Sequence, residues 1–127
     1  EGKIVNVVDK HYEAAVLTNV IHHEKINENI LKELDRIVAR KLVIIETVPV
    51  GNTPEEIVLD RERTFANDTL WNRFFNYADI PVPGTYETPE DWIKRFESYG
   101  WKTTHSEDLG YDQKSIHDVH HLLVFER

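Results

Sequence analysis

The sequence predicts a single α/β domain: a β-α-β unit, then a helical insertion, one further helix and an antiparallel β-hairpin, with the helices packed on the sheet. Two apolar runs, 14–21 (AAVLTNVI) and 41–50 (KLVIIETVPV), flank one amphipathic segment and end in polar groups, as two parallel strands joined by a crossover helix do. Two Thr-Pro-acidic segments mark later helix starts, and two strand-like stretches close the chain.

In chain order, residues 3–8 (KIVNVV) have the composition of a short strand, interrupted by Asp9, Lys10 and His11. The run 14–21 is apolar except for Thr18 and Asn19, which suits a central strand covered on both faces. Across 27–40, Ile30, Leu31, Leu34, Ile37 and Val38 recur at helical spacing. That leaves Lys32, Glu33, Asp35 and Arg36 in water. Residues 42–45 (LVII) are short and precede Pro49 and Gly51, which favours a strand over a buried helix. A crossover between parallel strands is right-handed.

Thr53-Pro54-Glu55-Glu56 starts a helix, with Thr53 as cap, Pro54 in the first turn and Glu56 closing a capping box. The helical stretch runs toward residue 77 and could break between Arg63 and Asn67. Phe65, Trp71, Phe74, Phe75 and Tyr77 crowd ahead of the turn 81–84 (PVPG), more aromatic area than one crossover helix needs. Residues 53–87 are therefore expected to form a lid-like helical insertion or a subunit surface. Thr88-Pro89-Glu90-Asp91 repeats the start signal, and Trp92, Ile93 and Phe96 give a stripe that ends at Gly100, a glycine suited to a helix terminus. Residues 101–109 and 119–126 are the closing strands. The polar segment 110–118 between them is too short for a helical crossover, so they pair antiparallel.

With 127 residues, 40% of them apolar, and no linker, one domain spanning 1–127 is expected. A net charge of −8 without a basic cluster argues against direct nucleic-acid binding. The absence of Cys removes disulfides, thiolate catalysis and thiolate metal sites, and fits a reducing, cytoplasmic setting. No apolar stretch approaches the roughly 20 residues that span a bilayer, so no membrane association is expected. The chain has no Met and opens on Glu1, as a processed product or a fragment would.

The succession of strand (AAVLTNVIHH), helix (NILKELDRIVA), strand (KLVIIETVP), inserted helices, helix (PEDWIKRFESYGW) and hairpin ending in HHLLVFER resembles the carboxyl-terminal half of class I S-adenosylmethionine-dependent methyltransferases. The resemblance covers almost the whole chain. NVIHH is similar to the segment after that family's fourth strand, and the reversed terminal hairpin is characteristic of its sheet. A partial Rossmann-like methyltransferase sheet is implied, with S-adenosylmethionine as cofactor and a small, partly apolar acceptor. The family's glycine-rich loop and the acidic residue ending its second strand have no counterpart here, and Gly2, Gly51, Gly84, Gly100 and Gly110 form no G-x-G. The resemblance thus implies cofactor binding only with a complementary methyltransferase half or subunit, and a hetero- or homo-oligomer.

His22 and His23 stand where open α/β sheets place ligands, at the carboxyl end of a strand, and are the candidate catalytic residues. An imidazole, with an ordinary pKa of about 6.5, can take the proton of a hydroxyl or amine acceptor. One of the two could instead cap the following helix. The resemblance implies that Thr18, Asn19 and Val20 line the cofactor. Glu46, at the end of the next strand, could orient the acceptor or a histidine, or pair with Arg73 or Lys41. Trp71, Asn72, Arg73, Phe74, Tyr77 and Tyr86 suit the cover of an apolar acceptor, with Arg73 holding a carboxylate or phosphate; they equally suit lid core or an interface. Of His105, His117, His120 and His121, the adjacent pair points to opposite strand faces, and His117 with His120 lacks a third ligand, so no metal is expected. Two other roles are open: a non-catalytic regulatory subunit that docks on a complete methyltransferase, and a free-standing binder of small ligands.

Overall fold

The computed structural model describes residues 6–25, 27–75, 80–114 and 116–127, with Asn27 described in its backbone alone. The elements are β1 (Tyr12–Thr18), α1 (Asn27–Ile37), β2 (Val38–Val48), α2 (Pro54–Leu70), α3 (Pro89–Ser98), β3 (Lys102–Gln113) and β4 (Ile116–Glu126). The four strands form one mixed sheet in the order β1-β2-β4-β3: β1 runs parallel to β2, while β4 is antiparallel to both β2 and β3.

Helix starts follow the local chemistry. Thr53 accepts the Glu56 N–H at 3.2 Å, and the Glu56 carboxylate accepts the Asn52 N–H at 2.6 Å, one residue before the position a capping box would use. Thr88 caps α3 by accepting the Asp91 N–H at 3.2 Å. Gly100, at φ +82°, ends α3 with its N–H on the Glu97 carbonyl at 2.9 Å.

Several boundaries differ from the sequence expectation. β1 stops at Thr18, because Asn19 takes a left-handed φ of 51° and turns the chain into a 3-10 turn at Ile21–His23. β2 starts at Val38, directly after α1, so 38–40 are strand and not helix; Val38 pairs with Tyr12 and is fully buried. α2 runs unbroken through 63–67 and passes into a π turn at Trp71–Phe75. Much of the polar segment 110–118 is strand, drawn into the β3–β4 ladder by pairs such as Tyr111 with Val119. Residues 6–8 form no strand; the proposed first strand otherwise falls on 3–5, outside the described residues.

Strand alternation sorts the sheet into two unlike faces. Leu17, Leu42, Ile44, Val48, Val119, Leu123 and Phe125 belong to one buried cluster with Leu31, Leu34 and Ile37 of α1 and Trp92 and Phe96 of α3. The other face carries Val16, Val43, Ile45, Leu122 and Val124, each only part-buried or exposed, with Val16 at 69% exposure. β1 is an edge of the sheet among the described residues. Among these residues no helix is long and apolar enough to cross a membrane.

Candidate active site at the strand ends

The carboxyl ends of β1 and β2, the start of β4 and the far end of α2 meet around a cavity of about 380 Å³, within the range of small-molecule sites. Behind its lining residue His22 lies Glu46. This carboxylate lies at the end of β2 with no exposed surface, where an unpaired charge would be costly. The turn after β1 satisfies it: Oε1 accepts the N–H groups of Val20 and Ile21 at 2.8 and 2.7 Å, and Oε2 accepts Nδ1–H of His22 at 2.5 Å. With the proton held on Nδ1, neutral His22 presents the Nε2 lone pair on its other side.

On that side stands Asp68, whose Oδ2 lies 3.7 Å from His22 Nε2 and 4.0 Å from His23 Nδ1. Asp68 is oriented in turn. Tyr86 donates its hydroxyl to Oδ2 at 2.6 Å, and Asn72 donates to Oδ1 at 2.6 Å. Burial, and then the Asp68 carboxylate, push the Tyr86 phenol far above its ordinary pKa, so it stays a neutral donor. His23 donates Nδ1–H to the Pro81 carbonyl at 2.8 Å, and Thr85 donates to the His22 carbonyl at 2.8 Å, tying the 80–88 segment over the turn.

Asp68 escaped sequence reading. A signal existed: Asp60, Thr64, Asp68 and Asn72 recur every four residues, a polar stripe on one side of α2 that runs into the π turn. The structure buries Asp60, Thr64 and Asn72 of that stripe and half-buries Asp68, while Val58, Leu59, Phe65 and Leu70 stay exposed.

No family model matches the chain, and no curated protein does. Solved structures do. An S-adenosylmethionine-dependent methyltransferase from Methanosarcina mazei matches with a TM-score of 0.62 at 11% identity, over 97% of this chain and 62% of that one. The mitomycin 7-O-methyltransferase MmcR matches with a TM-score of 0.59 at 12% identity, over 99% of this chain and 33% of that one. An arsenic(III) S-adenosylmethionine methyltransferase from Chlamydomonas reinhardtii gives 0.54 at 10% identity, over 95% and 38%. The fold matches part of the Rossmann-like fold of these methyltransferases. The chain spans between about a third and two thirds of the length of these methyltransferases.

The other candidate residues divide. Within the methyltransferase-like sheet, Asn19 lines the cavity, donating to His120 Nε2 and accepting from Thr47, both at 3.3 Å. Thr18 is exposed on the open face, and Val20 gives its N–H to Glu46. Glu46 faces His22 and neither Arg73 nor Lys41; Lys41 pairs with Glu126 at 2.6 Å. Trp71 and Tyr86 line the cavity, whereas Arg73 and Phe74 are exposed on the π turn and do not. Tyr77 lies outside the described residues. The remaining histidines scatter: His120 faces the cavity, His121 accepts from Ser106 at 2.8 Å, His105 bonds Glu107, and His117 stacks on Tyr111.

Asp118 also lines the cavity. Its carboxyl is raised above the ordinary range, first by burial and further by Asp68 and Asp112, against the opposing hydrogen bond from Asn67 and the charge of His120. A raised carboxyl pKa favours the folded state while the group is protonated, and that advantage is lost as pH rises through the folded-state value. Asp118→Asn should therefore raise Tm at pH 7 and change it little at pH 3, read by thermal melts at both pH values.

Proposed function

We propose that this chain is the acceptor-side half of an S-adenosylmethionine-dependent methyltransferase for a small, partly apolar acceptor. The observation that carries this is the buried Glu46–His22 pair, whose Nε2 faces the cavity beside Asp68 at the ends of a methyltransferase-like sheet. S-adenosylmethionine supplies an electrophilic methyl carried on a sulfonium. The complementary half, in the same polypeptide or another, holds it, since the cofactor loop has no counterpart here. This chain's own contribution is to seat the acceptor against Trp71 and Tyr86 and to take its hydroxyl or amine proton on His22 Nε2. The Nδ1–H bond to Glu46 stabilises the imidazolium that results.

The open face and the free β1 edge support a companion that continues the sheet beyond β1. Mixing the chain with a companion carrying a strand, G-x-G loop and helix should give a stoichiometric complex, and methyl transfer from labelled cofactor to an aromatic or aliphatic alcohol or amine. A complex with neither cofactor binding by calorimetry nor transfer would refute the reading. The exposed Leu59, Phe74 and Phe75 favour a second reading, a non-catalytic subunit docking on a whole methyltransferase. Under it, changing both His22 and His23 to Ala leaves the partner's turnover intact.

A further inference from the structure

The geometry points to a divalent transition-metal site at His22, His23 and Asp68, of the type that takes Zn²⁺, with its open coordination positions facing the cavity. One ligand atom from each of the three residues lies within 4.8 Å of the others, the only such group found among the described residues. Around an ion bound at about 2.0–2.2 Å, such atoms sit some 3.3–3.5 Å apart. The separations to Asp68 Oδ2 are 3.7 and 4.0 Å and all three lie within 4.8 Å, so the side chains must draw together around an ion.

Two further observations point to a cation. First, the ligands are oriented from behind. His22 Nδ1 is held by Glu46, which is itself fixed by two backbone N–H groups, and Asp68 is held by Tyr86 and Asn72. Carboxylate behind histidine, and donor behind carboxylate, are the supports that fix metal ligands. Second, Asp68, Asp112 and Asp118 line the cavity, and among the described residues no Lys or Arg joins them. Two imidazoles and one carboxylate, with no thiolate, select Zn²⁺, Fe²⁺ or Co²⁺ over Mg²⁺ or Ca²⁺.

Binding exchanges the bond from His23 to the Pro81 carbonyl for a coordination bond. It also makes His22 Nε2 a ligand in place of a proton acceptor. In the loaded form the acceptor oxygen sits on the ion, which lowers its proton affinity, and its proton leaves to water. The site does not depend on the methyltransferase reading, because its ligands all belong to this chain.

The test is titration of the purified, EDTA-treated chain with ZnSO₄ by calorimetry, and with CoCl₂ by visible absorption. One equivalent of Zn²⁺ should bind, and Co²⁺ should give d–d bands that Zn²⁺ abolishes. His22→Ala and Asp68→Asn should each weaken binding at least tenfold, and Glu46→Gln, which touches no ion, about tenfold or more. His105→Ala should change nothing. Absence of one-to-one binding by the folded wild-type chain, or loss with His105→Ala equal to that with His22→Ala, would overturn the proposal.

Discussion

Replacing Glu46 with Ala should lower the stability of the fold by about 3–5 kcal/mol, the range seen when one member of a buried ionic pair is removed. The cost comes from what is left behind: the buried N–H of Ile21, the part-buried N–H of Val20 and the Nδ1–H of His22 lose their acceptor at once. Glu46→Gln should separate this structural part from the chemical one. Its Oε1 keeps the two backbone bonds, so most of the stability returns. Its NH₂ then opposes Nδ1–H of His22, and the ring relieves the clash by moving its proton to Nε2, the atom that faces the cavity. Turnover in the reconstituted enzyme should fall by about 10²–10⁴-fold, in kcat and with KM nearly constant, because the base arrives already protonated. Urea unfolding and steady-state kinetics on the two variants check both halves. Equal losses of stability and turnover in the two variants would reduce Glu46 to a scaffold residue.

Phe96→Ala should cost about 3–5 kcal/mol of stability. Phe96 is 1% exposed, with its ring centroid 4.5 Å from Phe125 and 6.5 Å from Trp92, so it bridges α3 to β4. Only one face of this sheet is covered by a packed helix layer, so a void there has no second core to share the loss. Single domains hold a margin of about 5–15 kcal/mol, and the change removes a large fraction of it. Phe74→Ala, at 66% exposure, should stay within about 0.5 kcal/mol in the isolated chain. Urea midpoints measured side by side decide whether the aromatic insertion adds to the fold of the lone chain or lies spare upon it.

The elements legible in the sequence are those where one physical signal acts alone. The stripe of α1, the Thr-Pro caps of α2 and α3 and the Gly100 terminus all appear where local chemistry places them. Boundaries fail where two periods share the same residues. Ile37 and Val38 satisfy a helix and a strand equally, and only pairing with Tyr12 decides between them. β3 runs past the expected end at 109 because in 110–113 (GYDQ) Tyr111 is the one apolar residue; as an edge strand with exposed faces the segment has no apolar alternation to show. At the site, His22 and Glu46 were visible as strand-end residues, but their pairing depends on the parallel register of β1 and β2. Asp68 and Tyr86 come together across 18 residues of chain, a closure no spacing rule anticipates.

The polar stripe of α2 sets how the layers come apart. α1 and α3 cannot leave the sheet without wetting Leu31, Leu34, Trp92 and Phe96, whereas α2 gives up chiefly hydrogen bonds: those that Asp60 accepts from the Val50 N–H and Asp68 from the Tyr86 hydroxyl, and the one Arg61 donates to the Tyr86 carbonyl. Val58 and Leu59 already face water, so the hydrocarbon its detachment exposes is chiefly the ring of Tyr86 and the side of Phe65 that rests on Gly84. Opening above the cavity is thereby uncoupled from melting of the fold: the amides of α2 can exchange through local excursions while the other two helices wait for global unfolding.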